Sequence, residues 1–493
     1  MPDSKKTGAA VADKAAPQSL LDEVLTKGKL VRDPDMKSYA VDMVDEFVQQ
    51  ILQAGDTVSK DTIAFIQTRV EEIDQLISSQ LDEIMHHPNF QQLEGSWRGL
   101  NYLVMNTETS VKLKLRLLNV SKTELRQDLE KATEFDQSVL FKMVYEEEYG
   151  TFGGSPYSCL IADYDFNSTA PDMSLLSKLS NVAAAAHAPM LSAASPELFD
   201  LDSFVDLGKP RDLAKIFESL DKIKWKSFRE SEDSRYVALM LPRVLMRLPY
   251  GANTLPVEGL NYEEVVDGKT QKTFVWGNPA YMMGQRITNA FALYGWTAAI
   301  RGVEGGGLVE GLPSYTFKTT EGDLALKCPT QIAITDRREK ELSDLGFVAF
   351  CHCKGTDKAA FFGGQTAQKS KKYNLPQATA NSTLSSRLPY ILAASRFAHY
   401  IKVIMRDKIG SFMSKTEVQK YLQTWIANYV LLADEAPQEL KARFPLREAR
   451  VDVFDVPGEP GKYRATVFLR PHFQLEELTT SLRLVAELPP PAK

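Results

Sequence analysis

Ile63, Ile66, Val70, Ile73, Ile77, Leu81 and Ile84 recur at spacings of three or four, which places them on one stripe of a helix over about residues 60–86. Glu71, Glu72, Asp74, Gln75, Ser78, Ser79 and Gln80 flank that stripe with polar groups. A seam this narrow suits either a coiled-coil partner or packing on the helix's own domain. Val41 to Leu52 is amphipathic as well, and could supply an antiparallel partner internally.

From about residue 100 to 365 the period is mixed. Val111, Leu113, Leu115 and Leu117 alternate with Lys112, Lys114 and Arg116 as in a half-exposed strand, and Ser121 with Glu124 makes a capping box for the next helix. Strand-like runs at Tyr157 to Ala162, Gln331 to Ile334 and Gly346 to Cys351 alternate with helical ones at Leu175 to His187 and Pro279 to Tyr294. The expected class is α/β, mixed with α+β. Past Lys369, Lys371, Lys372 and Pro376 the chain reads as helical: Asn381 to Phe412 as one helix bent at Pro389, then a helix capped by Ser414 and Glu417 and ending near Ala433. Three strands follow, with Val451 and Val453 in the first, Tyr463, Val467 and Leu469 in the second, and Leu482 and Leu484 in the third. The domains expected are an N-terminal arm (1–59), a body with the seam helix (60–372) and a C-terminal domain (373–493) whose strands are suited to pairing with other chains.

Composition narrows the function. The 493 residues carry 58 basic and 64 acidic side chains, a net charge of -6 with no basic tail, which argues against a nucleic-acid binder that relies on phosphate neutralisation. The first 17 residues lack an apolar signal core, and no run of 18 apolar residues occurs, so the expected location is the cytoplasm, with no insertion in a membrane. The four cysteines are too scattered for a disulfide framework.

Catalytic signatures are sparse. Cys351, His352 and Cys353 are soft ligands, but neighbours along a strand point to opposite faces and no second cysteine pair lies at zinc-site spacing. The glycines of Gly302 to Gly311 lack a following Lys and Ser or Thr, and Glu304 and Glu310 would repel phosphate. His86 and His87 stand beside a helix-terminating Pro88. Asp163 and Asp165 share one strand face, where a cation or simple solvation would suit them. No cofactor or metal site is expected. The rival to a structural role is a metal-dependent cytoplasmic hydrolase built on Asp163, Asp165 and the Cys351-His352-Cys353 triplet.

Several long segments together resemble one family. They are His86 to Leu100 (HHPNFQQLEGSWRGL), Glu148 to Gly154 (EYGTFGG), Phe228 to Tyr236 (FRESEDSRY), Arg301 to Gly307 (RGVEGGG), His352 to Asp357 (HCKGTD), and Ser395 to Tyr400 with Arg406 to Gly410. Their order and content resemble the large subunit of type VI secretion contractile sheaths, the TssC or VipB family, over roughly residues 60–485. The resemblance implies a bacterial tail-sheath-like fold without enzymatic activity. It also implies a small-subunit partner (TssB or VipA), neighbouring sheath protomers, a tube of Hcp, a baseplate, and the ClpV ATPase acting mainly through the small subunit. On a helical projection Arg396, His399, Lys402 and Arg406 gather opposite Phe397, Ile401 and Ile404. That basic face is expected either to be solvated or to meet the tube, which the family grips through its C-terminal region. The stripe from Ile63 to Ile84 is the expected small-subunit seam, and the C-terminal strands the expected inter-subunit sheet.

Overall fold

Three helices open the described chain: α1 (Lys37–Ala54), α2 (Thr62–Met85) and α3 (Pro88–Met105). The computed structural model describes residues 37–54, 62–319, 321–411, 413–433, 435–458 and 463–474. Residues 1–36 and 55–59 of the N-terminal arm, the side chains of Ile63 and Ile66, and the third C-terminal strand with Leu482 and Leu484 lie outside the described residues. Residues 1–77 and residues 78–493 form two compact units. In the first, α1 and the α2 stripe both carry exposed apolar side chains: Tyr39, Met43, Val70, Ile73, Leu76 and Ile77.

The second unit is built on a six-stranded sheet. Its strands are β1 (Leu160–Phe166), β2 (Met190–Ala194), β3 (Val237–Leu241), β4 (Leu308–Val309), β5 (Phe347–His352) and β6 (Ala359–Phe361), in the order β1-β2-β3-β5-β6-β4. The first four in that order run parallel, and β6 adds antiparallel contacts to β5 and β4. Parallel strands covered on both faces read as continuous apolar runs, which is why Val-Ala-Leu-Met-Leu and Phe-Val-Ala-Phe-Cys are buried along their length. Successive side chains then sort by period two. Leu239, Leu241, Phe347 and Ala349 enter one core with Leu175, Leu176 and Leu179 of α5 (Ala170–Ala185). Ala238, Met240, Val348 and Phe350 enter the other core, with Met282, Met283 and Ile287 of α6 (Ala280–Tyr294). Ser121 and Glu124 close the expected capping box at the start of α4 (Lys122–Lys131).

The Val111 to Leu117 run is not a strand here: it bends at Val111 and Lys112, Val111 and Leu117 are exposed, and it pairs with no strand among the described residues. Gln331 to Ile334 is loop: an isolated bridge joins the preceding Thr330 to Val244, the Gln331 amide donates to the Arg243 carbonyl, and Ile334 is buried in the core. The helix expected over Asn381 to Phe412 is two, α7 (Pro376–Ser385) and α8 (Leu388–Asp407). Pro389 stands in the first turn of α8, where a residue without an N–H is tolerated, so it starts that helix rather than bending a longer one. α9 (Lys415–Ala427) opens on the Ser414–Glu417 box. It packs on a hairpin of β7 (Leu446–Asp455) and β8 (Tyr463–Pro471), and a third core joins Phe397, Val418, Leu422, Ile426, Val451 and Val453 to Trp296 of the body.

Candidate assembly interface

The segments that carry the resemblance are mostly packing devices. His87 caps α3, its Nδ1 accepting from the Asn89 amide at 3.3 Å, with Pro88 in the first turn. Glu94 and Glu264 then hold Arg247 between them, at 2.6 and 2.5 Å. Arg98 adds a second cation to Glu94 at 2.7 Å, and His86 Nε2 lies 3.1 Å from Glu264. The side chains of Arg247 and Glu264 are 3% and 0% exposed, so the pairing is what makes burying these charges tolerable. Gly95 and Gly99 let the helix approach: a Cβ on Gly95 would stand 2.6 Å from the Trp276 carbonyl oxygen, and one on Gly99 2.4 Å from the Tyr281 ring. Beside the exposed Asn89, Gln92 and Asn101, α3 turns an apolar stripe outward. Leu93, Trp97 and Val104 lie on one stripe at spacings of four and seven, and Trp97 is 60% exposed.

The glycine segment of Arg301 to Gly307 is a π-turn against β6. Gly306 has φ +92°, and a Cβ on Gly307 would meet the Phe361 carbonyl oxygen at 2.7 Å. Arg301 donates from Nε to the Phe362 carbonyl. In Phe228 to Tyr236, Arg229 donates to the carbonyls of Ala367 and Asp344.

Arg396, His399, Lys402 and Arg406, expected on one face of α8, each contact groups of their own chain. His399 is 2% exposed, and its Nε2 donates to the Ala186 carbonyl at 2.8 Å. Burial, opposed by that hydrogen bond and reinforced by Arg396, His187 and Lys402, pushes its pKa down to about 4. Lys402 Nζ lies 3.5 Å from the centre of the Tyr149 ring and 4.8 Å from that of Tyr145. Arg406 donates to the carbonyls of Tyr149 and Thr151, and Arg396 covers the Tyr400 ring at 4.6 Å. Phe397, Ile401 and Ile404 pack on the opposite side. His399, Lys402 and Arg406 thus meet the π-helical segment Lys142–Gly150, the Thr151 that follows it and the end of α5, with Lys402 and Arg406 half-buried. Sequence projection missed this because the covering aromatic rings lie some 250 residues earlier.

On the hairpin, Val451 and Val453 are buried against α9, while Tyr463, Val467 and Leu469 are partly buried on the same side. Val451 pairs with Val467 and Asp455 with Tyr463. The far side presents Phe454 and Phe468, each about half exposed, and among the described residues β8 pairs with no strand other than β7. On α2, Val70, Ile73, Ile77 and Ile84 are exposed and Leu81 is half-buried.

The chemical candidates are dispersed. Asp165 pairs with Arg243, and Asp163 accepts from the Tyr281 hydroxyl. Cys351 is buried in β5, its thiol pushed up to about 12 by burial, while Cys353 is exposed at the turn that follows. Among the described residues no three His, Cys, Asp or Glu side chains gather in a metal-holding group, and no helix is long and apolar enough to cross a membrane.

Exposed apolar stripes of this kind mark surfaces that pack against other proteins. Comparison with known proteins gives the class: residues 67–368 match the EvpB/VC_A0108 tail sheath N-terminal domain, and residues 377–488 the tail sheath gpW/gp25-like domain. A Pseudomonas aeruginosa protein named type VI secretion system sheath protein TssC1 is 51% identical over 452 residues, covering 90% of both chains. Solved structures of an anti-feeding prophage baseplate (11% identity, TM-score 0.35, 64% of this chain and 67% of that one) and a contracted extracellular injection-system sheath (9%, 0.35, 63% and 68%) are more distant. The chain belongs to the type VI secretion tail sheath family, TssC or VipB, whose members are structural sheath subunits rather than enzymes and whose partners include other sheath protomers.

Proposed function

We propose that this chain is the large subunit of a cytoplasmic type VI secretion sheath, which polymerises with the small subunit (TssB or VipA) around an Hcp tube on a baseplate. Contraction then propels tube and spike outward, and ClpV recycles the contracted polymer through the small subunit. The observation that carries this reading is the exposed apolar set on α2, α3 and the C-terminal hairpin, in a chain 51% identical to a named sheath protein. The seam of Val70, Ile73, Ile77 and Ile84 supports docking of small-subunit helices, because an exposed apolar stripe at this spacing is a helix-packing surface. The hairpin supports strand exchange with neighbouring protomers, since an open strand edge offers main-chain donors and acceptors. Contact between the α8 cations and the tube would require Lys402 and Arg406 to leave the Tyr149 segment.

Co-expression with the small subunit followed by negative-stain electron microscopy tests the proposal. Hollow tubules that depend on both chains are the expected result. A monodisperse monomer with no partner-dependent polymer overturns it.

A further inference from the structure

From Leu113 to Val120, on the way from α3 to α4, the chain makes no helix, turn or bend, and so runs extended. Its side chains start on the period of a strand: Leu113 and Leu115 are half-buried, and Lys114 and Arg116 are exposed. The course is pinned at three points. Leu113 exchanges main-chain hydrogen bonds with Ser110 at 3.2 and 2.9 Å, Arg116 reaches Glu148 and the Tyr157 hydroxyl, and the Val120 carbonyl accepts from the Tyr164 hydroxyl at 2.7 Å. Between those points the ladder is missing. From Lys114 to Asn119 no backbone amide or carbonyl has a hydrogen-bond partner among the described residues, and Leu117 and Leu118 stand 66% and 47% exposed. A stretch already extended, with open main-chain donors and acceptors, is what an added strand needs: the backbone supplies the bonds and alternate side chains choose the partner.

The charges select that partner. Lys112 and Lys114 form no ion pair among the described residues, and Arg116 shares the one carboxylate of Glu148. Cross-strand neighbours lie close enough on one face for like charges to repel and opposite ones to attract. A second copy of this segment, paired antiparallel leucine to leucine, would set Lys and Arg against Lys and Arg. The free edge of β8 carries Arg464 and Arg470 and is mismatched as well. A chain of different sequence is left.

We propose that residues 113–119 accept a strand from the small subunit, an extended segment with acidic side chains on the face of Lys114 and Arg116 and apolar ones on the face of Leu115 and Leu117. The proposal rests on the sheath assignment above and adds a main-chain contact distinct from the α2 seam and the C-terminal hairpin.

The test uses the full chain assembled with its small subunit. Deuterium exchange of the tubules, resolved to single amides by mass spectrometry, should show about every second amide from Lys114 to Asn119 protected, the period of a strand bonded along one edge. Carbodiimide, which joins an amine directly to a carboxylate, should couple Lys112 or Lys114 to an acidic peptide of the small subunit. Lys114→Pro and Leu117→Pro remove donors from opposite edges, and neither amide bonds anything in its own chain. Both variants should therefore keep the parental unfolding midpoint, while the one on the partner's edge loses its tubules. Should either fail to fold, the exchange pattern of the parent decides. Formed tubules in which all these amides exchange as fast as in the urea-unfolded chain overturn the proposal and leave the sheath assignment intact, as do tubules from both proline variants. Coupling of these lysines to a second copy of this chain overturns it too, and absence of any tubule overturns both.

Discussion

Arg247 and Glu264 form an enclosed ion pair at 2.5 Å, and Glu94 of α3 approaches the same guanidinium at 2.6 Å. The Glu94 and Arg98 of one sequence motif thus act on a loop more than 150 residues away. Arg247→Met leaves Glu264 buried without its cation, and removal of one member of such a pair is worth about 3–5 kcal/mol. The urea midpoint of the assembled heterodimer should fall accordingly. A change under about 1 kcal/mol would mean that water replaces the guanidinium readily.

Gly95 and Gly99 should tolerate no side chain, for a different reason from Gly153. Gly95→Ala drives a methyl group against the Trp276 carbonyl and Gly99→Ala drives one against the Tyr281 ring, so each is expected to cost about 1–3 kcal/mol through overpacking. Gly153 has φ +81° and open space around its Cβ, so alanine there should meet only backbone strain, of about 1 kcal/mol. Thermal unfolding of the three variants separates contact from conformation. Equal losses at all three positions would remove close approach as the role of the motif glycines.

How much of this was legible depended on sequence separation. Both capping boxes and the α2 stripe could be read directly, because their partners lie three or four residues apart. The division of Asn381 to Phe412 was not, since what breaks it is the Leu388 amide bonding to the Gly364 carbonyl at 2.7 Å, a long-range contact. The alternation of Val111 to Leu117 encodes a strand's side-chain pattern but not the whereabouts of a pairing strand. The basic projection of α8 places Arg396, His399, Lys402 and Arg406 on one side of the helix, as the spacing of those residues requires. What those side chains touch could not be read from the projection, because Tyr145, Tyr149 and the Ala186 carbonyl are remote in sequence.

Acid should loosen that same junction. His399 is buried and neutral, facing Arg396 and Lys402 of its own helix, His187 beyond the end of α5, and Tyr149. His187 is shifted in the same direction, by burial and by Lys402. With His399 near 4 in the folded chain against 6.5 when exposed, the unfolded chain binds the extra proton between those values. Stability is therefore fully present above about pH 6.5 and is lost as pH falls toward 4, by about 3 kcal/mol for His399 at roughly 1.4 kcal/mol per unit. His399→Gln keeps an amide donor for the Ala186 carbonyl but cannot titrate. Denaturation midpoints measured from pH 7.5 to 4.5 should flatten in that variant. An unchanged slope would assign the acid sensitivity to other groups.

Trp97 separates folding from assembly. It lies on α3 between Gly95 and Arg98, whose contacts fix the helix to the body, yet its own ring is 60% exposed. Truncation of such a side chain should change the stability of the chain by no more than about 0.5 kcal/mol. If the stripe of Leu93, Trp97 and Val104 is covered by another sheath subunit, the same truncation removes an aromatic anchor, and loss of such an anchor at an interface is worth about 2 kcal/mol or more. That loss is repeated at every protomer of a helical polymer, so a modest local change becomes a large deficit in sheath length. Trp97→Ala should give an unfolding midpoint close to that of the parent chain, with sparse or short tubules in electron micrographs. Lys402→Ala, by contrast, should lower the midpoint itself, because its ammonium is held over the Tyr149 ring of its own chain. Tubules of ordinary length and number from Trp97→Ala would take the α3 stripe out of the assembly interface.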